Sequence, residues 1–311
     1  MSSDEVQAQV ASARARALAV EARDLDVMVV RGGDRQAWLN GIVTCDLAHL
    51  VVGGAAAYGL SVTQKGRILA DLTILADTER LLVAAPRAQI ETLRGSFDKY
   101  LIMEDAEVTV PAEGFAIVQL HGPKAGVVVA AARVAGVVGG AVDYTGLGGG
   151  ALFVDRANEA RDRRAIAAAL AEVGGVVGDD GGWEALRLEQ GVPRYGHDFD
   201  VSTYPQEAGL EKRAVSFSKG CYLGQEVVCM LEMRGHVKRK LHSLVLAAPA
   251  VVPKGASVRD ASGAPIGEIT SSALGPTLRA SVALAMLKGV HAPGEELHVG
   301  DGAARIVTLP A

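Results

Sequence analysis

The pattern of hydrophobic residues changes near residue 238, and this change limits the possible folds more than any other feature of the sequence. Beyond that point short apolar runs alternate with turns, as in LHSLVLA, PIGEITSSA and ARIVTL. Ser-Gly at 262–263 and Asp-Gly at 301–302 are dipeptides that favour hairpins. Regular short strands joined by such turns are typical of a small antiparallel barrel. The sequence therefore predicts a β-barrel domain over residues 238–311.

The preceding part of the chain mixes helical and strand patterns. The runs GRILADLTIL and FAIVQL predict strands, residues 3–20 predict a helix, and Ile90, Leu93, Phe97 and Leu101 repeat at helical spacing. A chain of 311 residues is long enough for about two domains. We therefore expect an α+β region of two lobes over residues 1–237, followed by the barrel.

Charge and apolar runs exclude several classes of partner. The net charge is −5, whereas proteins that coat nucleic acid usually carry a basic excess, so we expect no nucleic-acid partner. The local basic run RGHVKRK, residues 234–240, is either a solvated linker or an anion-binding edge. The N-terminus lacks the pattern of a signal peptide and no apolar run is long enough to span a bilayer. We expect a cytoplasmic protein with no membrane partner.

The three cysteines, Cys45, Cys221 and Cys229, do not form a recognisable framework. An odd and sparse set argues against structural disulfides. Without a CxxC pair or a Cys/His cluster, the sequence predicts no metal site within one chain, although one cysteine from each of two chains could still hold a cluster. Phosphate loops, dinucleotide fingerprints and hydrolase triads are also missing from the sequence.

The stretch SFSKGCYLGQEVV, residues 216–228, places Cys221 between Gly220 and Gly224. A thiol reacts as thiolate, and a cation about 4–6 Å away would favour that form by about 3–4 kcal/mol. Lys219 is the candidate cation, while Glu226 would act in the opposite direction. The glycines allow a tight loop close to a ligand. The alternative is that Cys221 is a small buried residue, because free cysteine is often buried.

A second cluster of polar residues lies in LRLEQGVPRYGHDFD. A buried Glu189 would need paired donors, and a pterin offers an adjacent ring N–H and amino group that suit a carboxylate. Alternatively, Glu189 is a surface residue paired with Arg187 or Arg194. We interpret His197 as a solvated loop residue. The remaining polar residues of this cluster are Tyr195, Asp198 and Asp200.

The third candidate group is Lys65, Arg67 and Asp71 in TQKGRILADLTIL. Asp71 interrupts an apolar strand, so it is either an outward-facing residue or a carboxylate of a site. Strand alternation alone favours the outward orientation.

The motif KGCYLGQEVV, followed by RGHVKRKL, resembles the signature of the YgfZ-type folate-binding proteins implicated in iron–sulfur cluster assembly and repair. That family is similar to the T protein of the glycine cleavage system, an aminomethyltransferase that uses tetrahydrofolate. Other segments occur in the expected order, including GGDRQAWLNGIVTCDL, LHGPKA and YPQEAGLEK. The resemblance covers nearly the whole chain.

The resemblance implies a ring of α+β lobes around tetrahydrofolate, followed by a C-terminal barrel. It implies that Glu189 holds the pterin and that Cys221 and Lys219 are the catalytic candidates. The other candidates for folate binding are Asp71, Arg67, Tyr195, Gly220, Tyr222, Gly224, Gln225 and Glu226.

The chain departs from the transferase pattern at one point. Aminomethyltransferases carry an acidic pair where this chain has Ala70 and Asp71. Because only one acid remains beside the cysteine motif, we expect a tetrahydrofolate-binding accessory protein for iron–sulfur cluster assembly or repair. Its partners would be folate and iron–sulfur enzymes or cluster assembly proteins. The alternative is a tetrahydrofolate-dependent aminomethyltransferase or demethylase acting on amines of the glycine or sarcosine type.

Overall fold

The computed structural model describes residues 2–247, 250–300 and 302–309. The α-helices in these ranges are α1 (Ser3–Ala15), α2 (Arg35–Asn40), α3 (Ile90–Asp98), α4 (Ala125–Val134), α5 (Glu159–Glu172), α6 (Asp180–Glu189), α7 (Glu211–Ala214) and α8 (Gln225–Arg234). The strands of the first part are β1 (Leu18–Glu21), β2 (Leu25–Arg31), β3 (Ala57–Val62), β4 (Ile68–Asp77), β5 (Arg80–Pro86), β6 (Glu107–Thr109), β7 (Phe115–His121), β8 (Val138–Ala141), β9 (Gly149–Asp155) and β10 (Val176–Val177). The later strands are β11 (Arg239–Leu246), β12 (Ser257–Arg259), β13 (Pro265–Gly275), β14 (Ala280–Lys288), β15 (Glu296–Val299) and β16 (Gly302–Val307).

Two five-stranded sheets form the centre of the first part. One has the order β3-β4-β5-β2-β6 and the other β10-β1-β7-β9-β8. Side chains of both sheets share one hydrophobic cluster, in which Val29 and Leu82 of the first sheet meet Ile117 and Phe153 of the second. The sheets therefore pack face to face, and the space between them is available for a site.

Helices cover the outer face of each sheet. Trp38 of α2 and Phe97 of α3 pack with the first sheet, while Val128 of α4 and Ile166 of α5 pack with the second. Each sheet thus buries apolar residues on both of its faces, which explains the nearly continuous apolar runs of β2 and β5.

Two predicted helices are shorter in the structure. The helix expected over residues 3–20 ends at Ala15, because residues 18–21 pair with β7 and form β1 instead. The helix around Ile90 ends at Asp98, before Leu101. At the first of these boundaries, the pairing of residues 18–21 with β7 outweighed the local helical pattern.

The C-terminal strands form a closed barrel in the order β11-β14-β13-β12-β15-β16. Its interior is aliphatic, with Leu244, Ile269, Leu287 and Ile306 fully or almost fully buried. The α+β fold class with a C-terminal antiparallel barrel is confirmed. The Ser-Gly hairpin joins β12 and β13 as predicted. Of the Asp-Gly dipeptide predicted to form the second hairpin, Asp301 lies outside the described residues. The strands on either side of it, β15 and β16, pair antiparallel.

A buried arginine joins the barrel to the first part of the chain. Arg187 of α6 has no exposed surface, and its guanidinium donates to Asp198 Oδ2 at 2.8 Å, to Glu184 Oε2 at 2.7 Å and to Ser271 Oγ at 2.9 Å. Ser271 belongs to β13, whereas Asp198 lies in the irregular segment after α6. This network holds α6, the segment and the barrel in one arrangement.

Candidate functional site

A cavity of about 250 Å³ lies between the two sheets and is closed by α6 and residues 192–197. The polar and aromatic side chains that line it include Glu21, Asp24, Tyr58, Asp71, Thr73, Gln119, Tyr144, Asp180, Trp183, Arg194, Tyr195 and His197. Its size is just below the ~300–1,000 Å³ of typical small-molecule sites, and its mixture of flat aromatic and polar groups is typical of them.

Asp71 is the carboxylate enclosed within this cavity. Along β4, Ala70 and Leu72 belong to the cluster beneath the helices, so Asp71 and Thr73 point to the opposite face, between the sheets. Tyr58 donates a hydrogen bond to Asp71 Oδ2 at 3.0 Å, but the buried Oδ1 has no partner among the described residues. Asp71 therefore presents one enclosed acceptor oxygen that lacks a donor.

Burial raises the pKa of Asp71 to about 6, and the hydrogen bond from Tyr58 opposes this rise. Burial likewise raises the pKa of Tyr58 and Tyr144, so both phenols stay protonated at neutral pH. The Tyr144 hydroxyl lies 2.7 Å from Thr73 Oγ1, and its ring meets the Tyr58 ring edge-on. The result is an enclosed carboxylate that titrates near neutrality, beside two neutral hydroxyl groups.

One wall of the cavity is flat and aromatic. The indole of Trp183, on α6, stacks on the imidazole of His121 with 4.3 Å between ring centroids and 10° between planes. Burial lowers the pKa of His121 to about 3, so the ring is neutral, and neither ring nitrogen has a partner in the described part of the chain. A neutral imidazole behind the indole fixes the plane that Trp183 presents to the cavity.

The irregular segment after α6 closes the cavity. Arg194 donates from Nε and Nη2 to Asp24 Oδ2 at 3.0 and 2.9 Å, which ties this segment to the turn before β2. Tyr195 lines the cavity, packs edge-on against Phe199, and has its pKa raised by burial to about 12. The segment therefore contributes both a charged anchor and an aromatic side chain to this side of the cavity.

Glu189 lies outside the cavity lining. It is buried, and its Oε2 accepts from Arg14 at 3.0 Å, while its Oε1 accepts from the backbone N–H groups of Thr277 and Leu278 at 2.7 and 3.1 Å. The alternative of a surface pair with Arg187 or Arg194 is wrong. The donors expected for a buried Glu189 exist, but the protein itself supplies them.

The motif around Cys221 forms an exposed turn before α8. The Cys221 thiol is exposed, which contradicts the alternative of a small buried residue. Gly224 has φ +77° at the start of the helix, and a Cβ there would lie 2.4 Å from the Thr63 carbonyl oxygen, so the turn requires glycine. The neighbouring Tyr222 is buried.

The remaining motif residues are Gly220 and Glu226, which are exposed, and Gln225, which is half-buried at the first position of α8. Neither they nor Cys221, Tyr222 or Gly224 line the cavity between the sheets. The structure thus separates the cysteine turn from the carboxylate of Asp71. We expected one site to contain both groups. The lining of the cavity corrects this expectation, because it includes Asp71 and no residue of the cysteine turn.

Lys219 has a different contact from the one we expected. Its ammonium donates to the backbone carbonyls of Asn40, Val43 and Cys45 at 2.6, 2.9 and 2.6 Å. Burial lowers the pKa of Lys219, and the lysine counteracts the burial that raises the pKa of Cys45 to about 11. The charge of Lys219 therefore holds the segment after α2 in place, and the proposed activation of Cys221 by this lysine has no contact to support it.

We expect Lys219→Met to lower the free energy of unfolding by about 2 kcal/mol, because three partly buried carbonyls lose a charged donor. The alkylation rate of Cys221, followed by mass spectrometry of the peptide that contains it, should stay within about twofold of the wild type. Ser218→Ala, at the adjacent exposed position, is the control. A tenfold slower alkylation of Cys221 in Lys219→Met would show that the lysine activates the thiol after all.

Arg67 and the basic run bind carboxylates and carbonyls of the protein. Arg67 lies over the ring of Tyr204 at 3.9 Å and contacts Ser202 and Glu207, so it does not line the cavity. Arg239 of the basic run also binds Glu207, at 3.3 Å. Lys240 of the run pairs with Glu211 at 3.3 Å, whereas Arg234 and Lys238 are exposed. The choice between a solvated linker and an anion-binding edge therefore concerns only the first part of the run.

Sequence reasoning missed three aromatic residues that line the cavity, Tyr58, Tyr144 and Trp183. Tyr58 and Tyr144 lie in sequence runs with no motif of their own. Trp183 had a signal, because it is one of two tryptophans in the chain and lies one turn from the LRLEQG segment.

Among the described residues, no group of three or more His, Cys, Asp and Glu side chains is arranged to hold a metal ion. Within the same ranges, no helix is both long and apolar enough to cross a membrane.

Comparisons with known proteins match both parts of the chain to known domains. Residues 2–137 match the GCVT N-terminal domain, and residues 239–310 match the glycine cleavage T-protein C-terminal barrel domain. The aminomethyltransferase of Streptomyces avermitilis is 30% identical over 290 residues, which cover 86% of this chain and 77% of the relative. The aminomethyltransferase of Thermotoga maritima is 28% identical over 290 residues, covering 87% and 78%.

The fold has a solved counterpart. The crystal structure of the glycine cleavage system aminomethyltransferase T from Bartonella henselae superposes with a TM-score of 0.82 and 20% sequence identity. The superposition covers 98% of this chain and 89% of that chain.

Proposed function

The chain belongs to the glycine cleavage T-protein family, and on that premise we propose that it binds a reduced folate of the tetrahydrofolate type between its two sheets. The observation that carries this proposal is the enclosed Oδ1 of Asp71, which has no donor among the described residues. A buried acceptor without a donor costs about 1–3 kcal/mol, so such an oxygen is expected to serve a ligand. A pterin supplies the neighbouring N–H donors that a carboxylate accepts.

Three residues have the chemistry to hold the pterin. Asp71 accepts its donors, the indole of Trp183 offers a flat surface for stacking, and Tyr195 lies where the irregular segment closes the cavity. Glu189 supports this wall indirectly, because it anchors the end of α6, the helix that carries Trp183. Bound tetrahydrofolate would supply nitrogen atoms that carry a one-carbon unit.

Folate affinity should depend on pH through Asp71. Its pKa in the folded protein is raised from 3.8 to about 6, so the carboxylate accepts donors fully only above that value. We expect the affinity for tetrahydrofolate, measured by anaerobic calorimetry, to fall as the pH decreases from 7.5 through 6 to 5. Because protonation stabilises the folded state here, the protein itself should gain stability over the same decrease.

Asp71→Asn is the control for this pH series, because it keeps the side-chain shape and removes the titration. Any pH dependence that remains in this variant belongs to the ligand or to other groups. An identical fall of affinity in the wild type and in Asp71→Asn would contradict the role of the carboxylate.

We further propose that the protein supports the assembly or repair of iron–sulfur enzymes through Cys221. Three observations support this proposal: the resemblance of KGCYLGQEVV to the signature of YgfZ-type proteins, the exposure of the thiol, and a turn shaped by the left-handed Gly224. An exposed thiol on a shaped turn outside the folate cavity suits a protein partner that carries a cluster.

A gene deletion tests this role. We expect the activity of cluster-dependent enzymes in the deletion strain to fall, and to be restored by the wild type and by Cys229→Ser but not by Cys221→Ser. Cys229 is the matched control because it lies half-buried on α8, eight residues from Cys221. Full restoration of enzyme activity by Cys221→Ser would reject the proposed role of the cysteine. Unchanged activity of cluster-dependent enzymes after the deletion would reject the iron–sulfur role.

The alternative function is that of an aminomethyltransferase. The orientation of the side chains along β4 supports this alternative. Ala70 is fully buried in the cluster beneath the helices, so an acid at position 70 would point away from the cavity. The missing member of the acidic pair therefore leaves the cavity carboxylate intact, which weakens the argument against a transferase. Formation of methylenetetrahydrofolate by purified protein with an amine donor would establish it, and its loss in Asp71→Asn would place the chemistry in this cavity.

A further inference from the structure

A second cavity, of about 200 Å³, lies where α7 and the end of α8 meet the barrel. Lys240 and His242 of β11 form one side, and residues 289–291 after β14 form another. This cavity shares no lining residue with the one between the sheets. It is therefore a separate compartment, at the junction of the two parts of the chain.

Two acceptor oxygens in this cavity have no donor among the described residues. They are Gln206 Oε1 and Glu211 Oε2, on side chains of residues that are only 5% and 7% exposed. The amide of Gln206 is oriented by its Nε2, which donates to the Val228 carbonyl at 2.9 Å. The second oxygen of Glu211 accepts from Lys240 at 3.3 Å. Both residues thus have one satisfied atom and one unsatisfied oxygen.

Two of the three histidines that line this cavity are bound to the protein itself, and the ring of the third, His242, meets that of His291 edge-on at 5.7 Å. His291 contacts Glu295 Oε1 at 2.9 Å and the Lys288 carbonyl at 2.8 Å, so both of its ring nitrogens are occupied. His236 Nδ1 contacts the Arg234 carbonyl at 2.9 Å. Among the described groups of this cavity, the two buried oxygens of Gln206 and Glu211 are the ones that need donors from a ligand.

Charge and shape narrow the class of ligand. Glu211 and Glu232 contribute two carboxylates, against one ammonium from Lys240, so a cation is favoured. The apolar walls of Leu231, Val237 and Val290 suit an alkyl group. An ammonium has three N–H donors, enough for both free oxygens, whereas no group of His, Cys, Asp and Glu within the described ranges is arranged for a metal ion.

We propose that this cavity binds a small primary alkylamine in its protonated form, with Gln206 and Glu211 as the acceptors. The proposal is independent of folate binding, since the two cavities have no residue in common. A site at the junction of barrel and lobes can also link ligand binding to the stability of that junction.

Calorimetric titration of the full-length protein with propylammonium chloride tests the proposal. We expect saturable binding, no binding of propionate, which has the opposite charge, and no binding of tetramethylammonium, which has the charge but no N–H donor. Glu211→Gln should weaken propylammonium binding at least tenfold. Glu268→Gln, at an exposed position on the barrel, and Asp71→Asn, in the other cavity, should bind it like the wild type.

Three results would overturn the proposal: no saturable binding of propylammonium by the wild type, equal binding of tetramethylammonium, or unchanged binding by Glu211→Gln. Saturable binding of Zn²⁺ without propylammonium binding would assign the cavity to a metal instead. The wild-type selectivity among the three probes decides the question even where a variant fails to fold. Failure of folate binding leaves every one of these outcomes unaffected.

Discussion

Replacing Asp71 by asparagine should weaken the binding of tetrahydrofolate by about 10- to 100-fold. A hydrogen bond to a charged group contributes about 1.5–3 kcal/mol, and each 1.4 kcal/mol corresponds to about a factor of ten in affinity. Asparagine keeps the volume of the side chain and can still accept from Tyr58. What it removes is the charge and one of the two acceptor oxygens. Anaerobic calorimetry at pH 7.5 measures the change.

The free energy of unfolding separates a binding role of Asp71 from a structural one. Because burial of the carboxylate raises its pKa, the ionised group opposes folding at neutral pH, and Asp71→Asn should be at least as stable as the wild type. Asp77→Asn, at the end of the same strand and paired with Arg80, is the matched control and should bind folate normally. Tetrahydrofolate binding by Asp71→Asn at wild-type strength would remove the main support for the folate site.

Replacing Arg187 by methionine should lower the free energy of unfolding by about 3–5 kcal/mol. The variant leaves the carboxylate of Asp198 buried without its cation, which is the costly way to break a buried ion pair. It also removes the contact with Ser271 of the barrel. Denaturation with urea, followed by circular dichroism, measures the loss.

Two further variants make this prediction specific. Arg187→Met combined with Asp198→Leu should recover part of the stability, because no unpaired charge stays buried. Arg94→Met, on the exposed face of α3, breaks surface pairs with Glu91 and Asp98 and should change stability by about 1 kcal/mol or less. A loss as small as that of Arg94→Met would mean that Arg187 does not hold the junction together.

The sequence was sufficient for the fold because the relevant signals are local. Short strands with a Ser-Gly turn predicted the barrel, and β4 and β7 appear where apolar runs predicted strands. The helix expected over residues 3–20 was too long, since pairing of residues 18–21 with β7 is a contact between segments far apart in the chain. No local pattern could show that pairing.

The site was less predictable, because side-chain partners come from distant segments. Alternation along β4 puts Asp71 opposite the side chains beneath the helices, but only the second sheet turns that face into a cavity. Arg14 lies 175 positions from Glu189, and the carbonyls that bind Lys219 lie 174 to 179 positions away from it. A residue type can suggest that a charge needs a partner, but only the fold shows which group provides it.

The position of Cys221 changes how the two proposed activities relate. The family resemblance implied that Cys221 and the folate-binding residues share one site, but the cysteine turn does not line the cavity that contains Asp71. Folate binding and the cysteine-dependent role are therefore separable: Asp71→Asn should affect the first, and Cys221→Ser only the second.

A crystal structure with tetrahydrofolate bound tests the central claim most directly. We predict the pterin in the cavity between the sheets, with its N–H donors on the carboxylate of Asp71 and its ring against the indole of Trp183. A pterin bound at Glu189 with Arg14 displaced, or one bound away from Asp71 altogether, would contradict it.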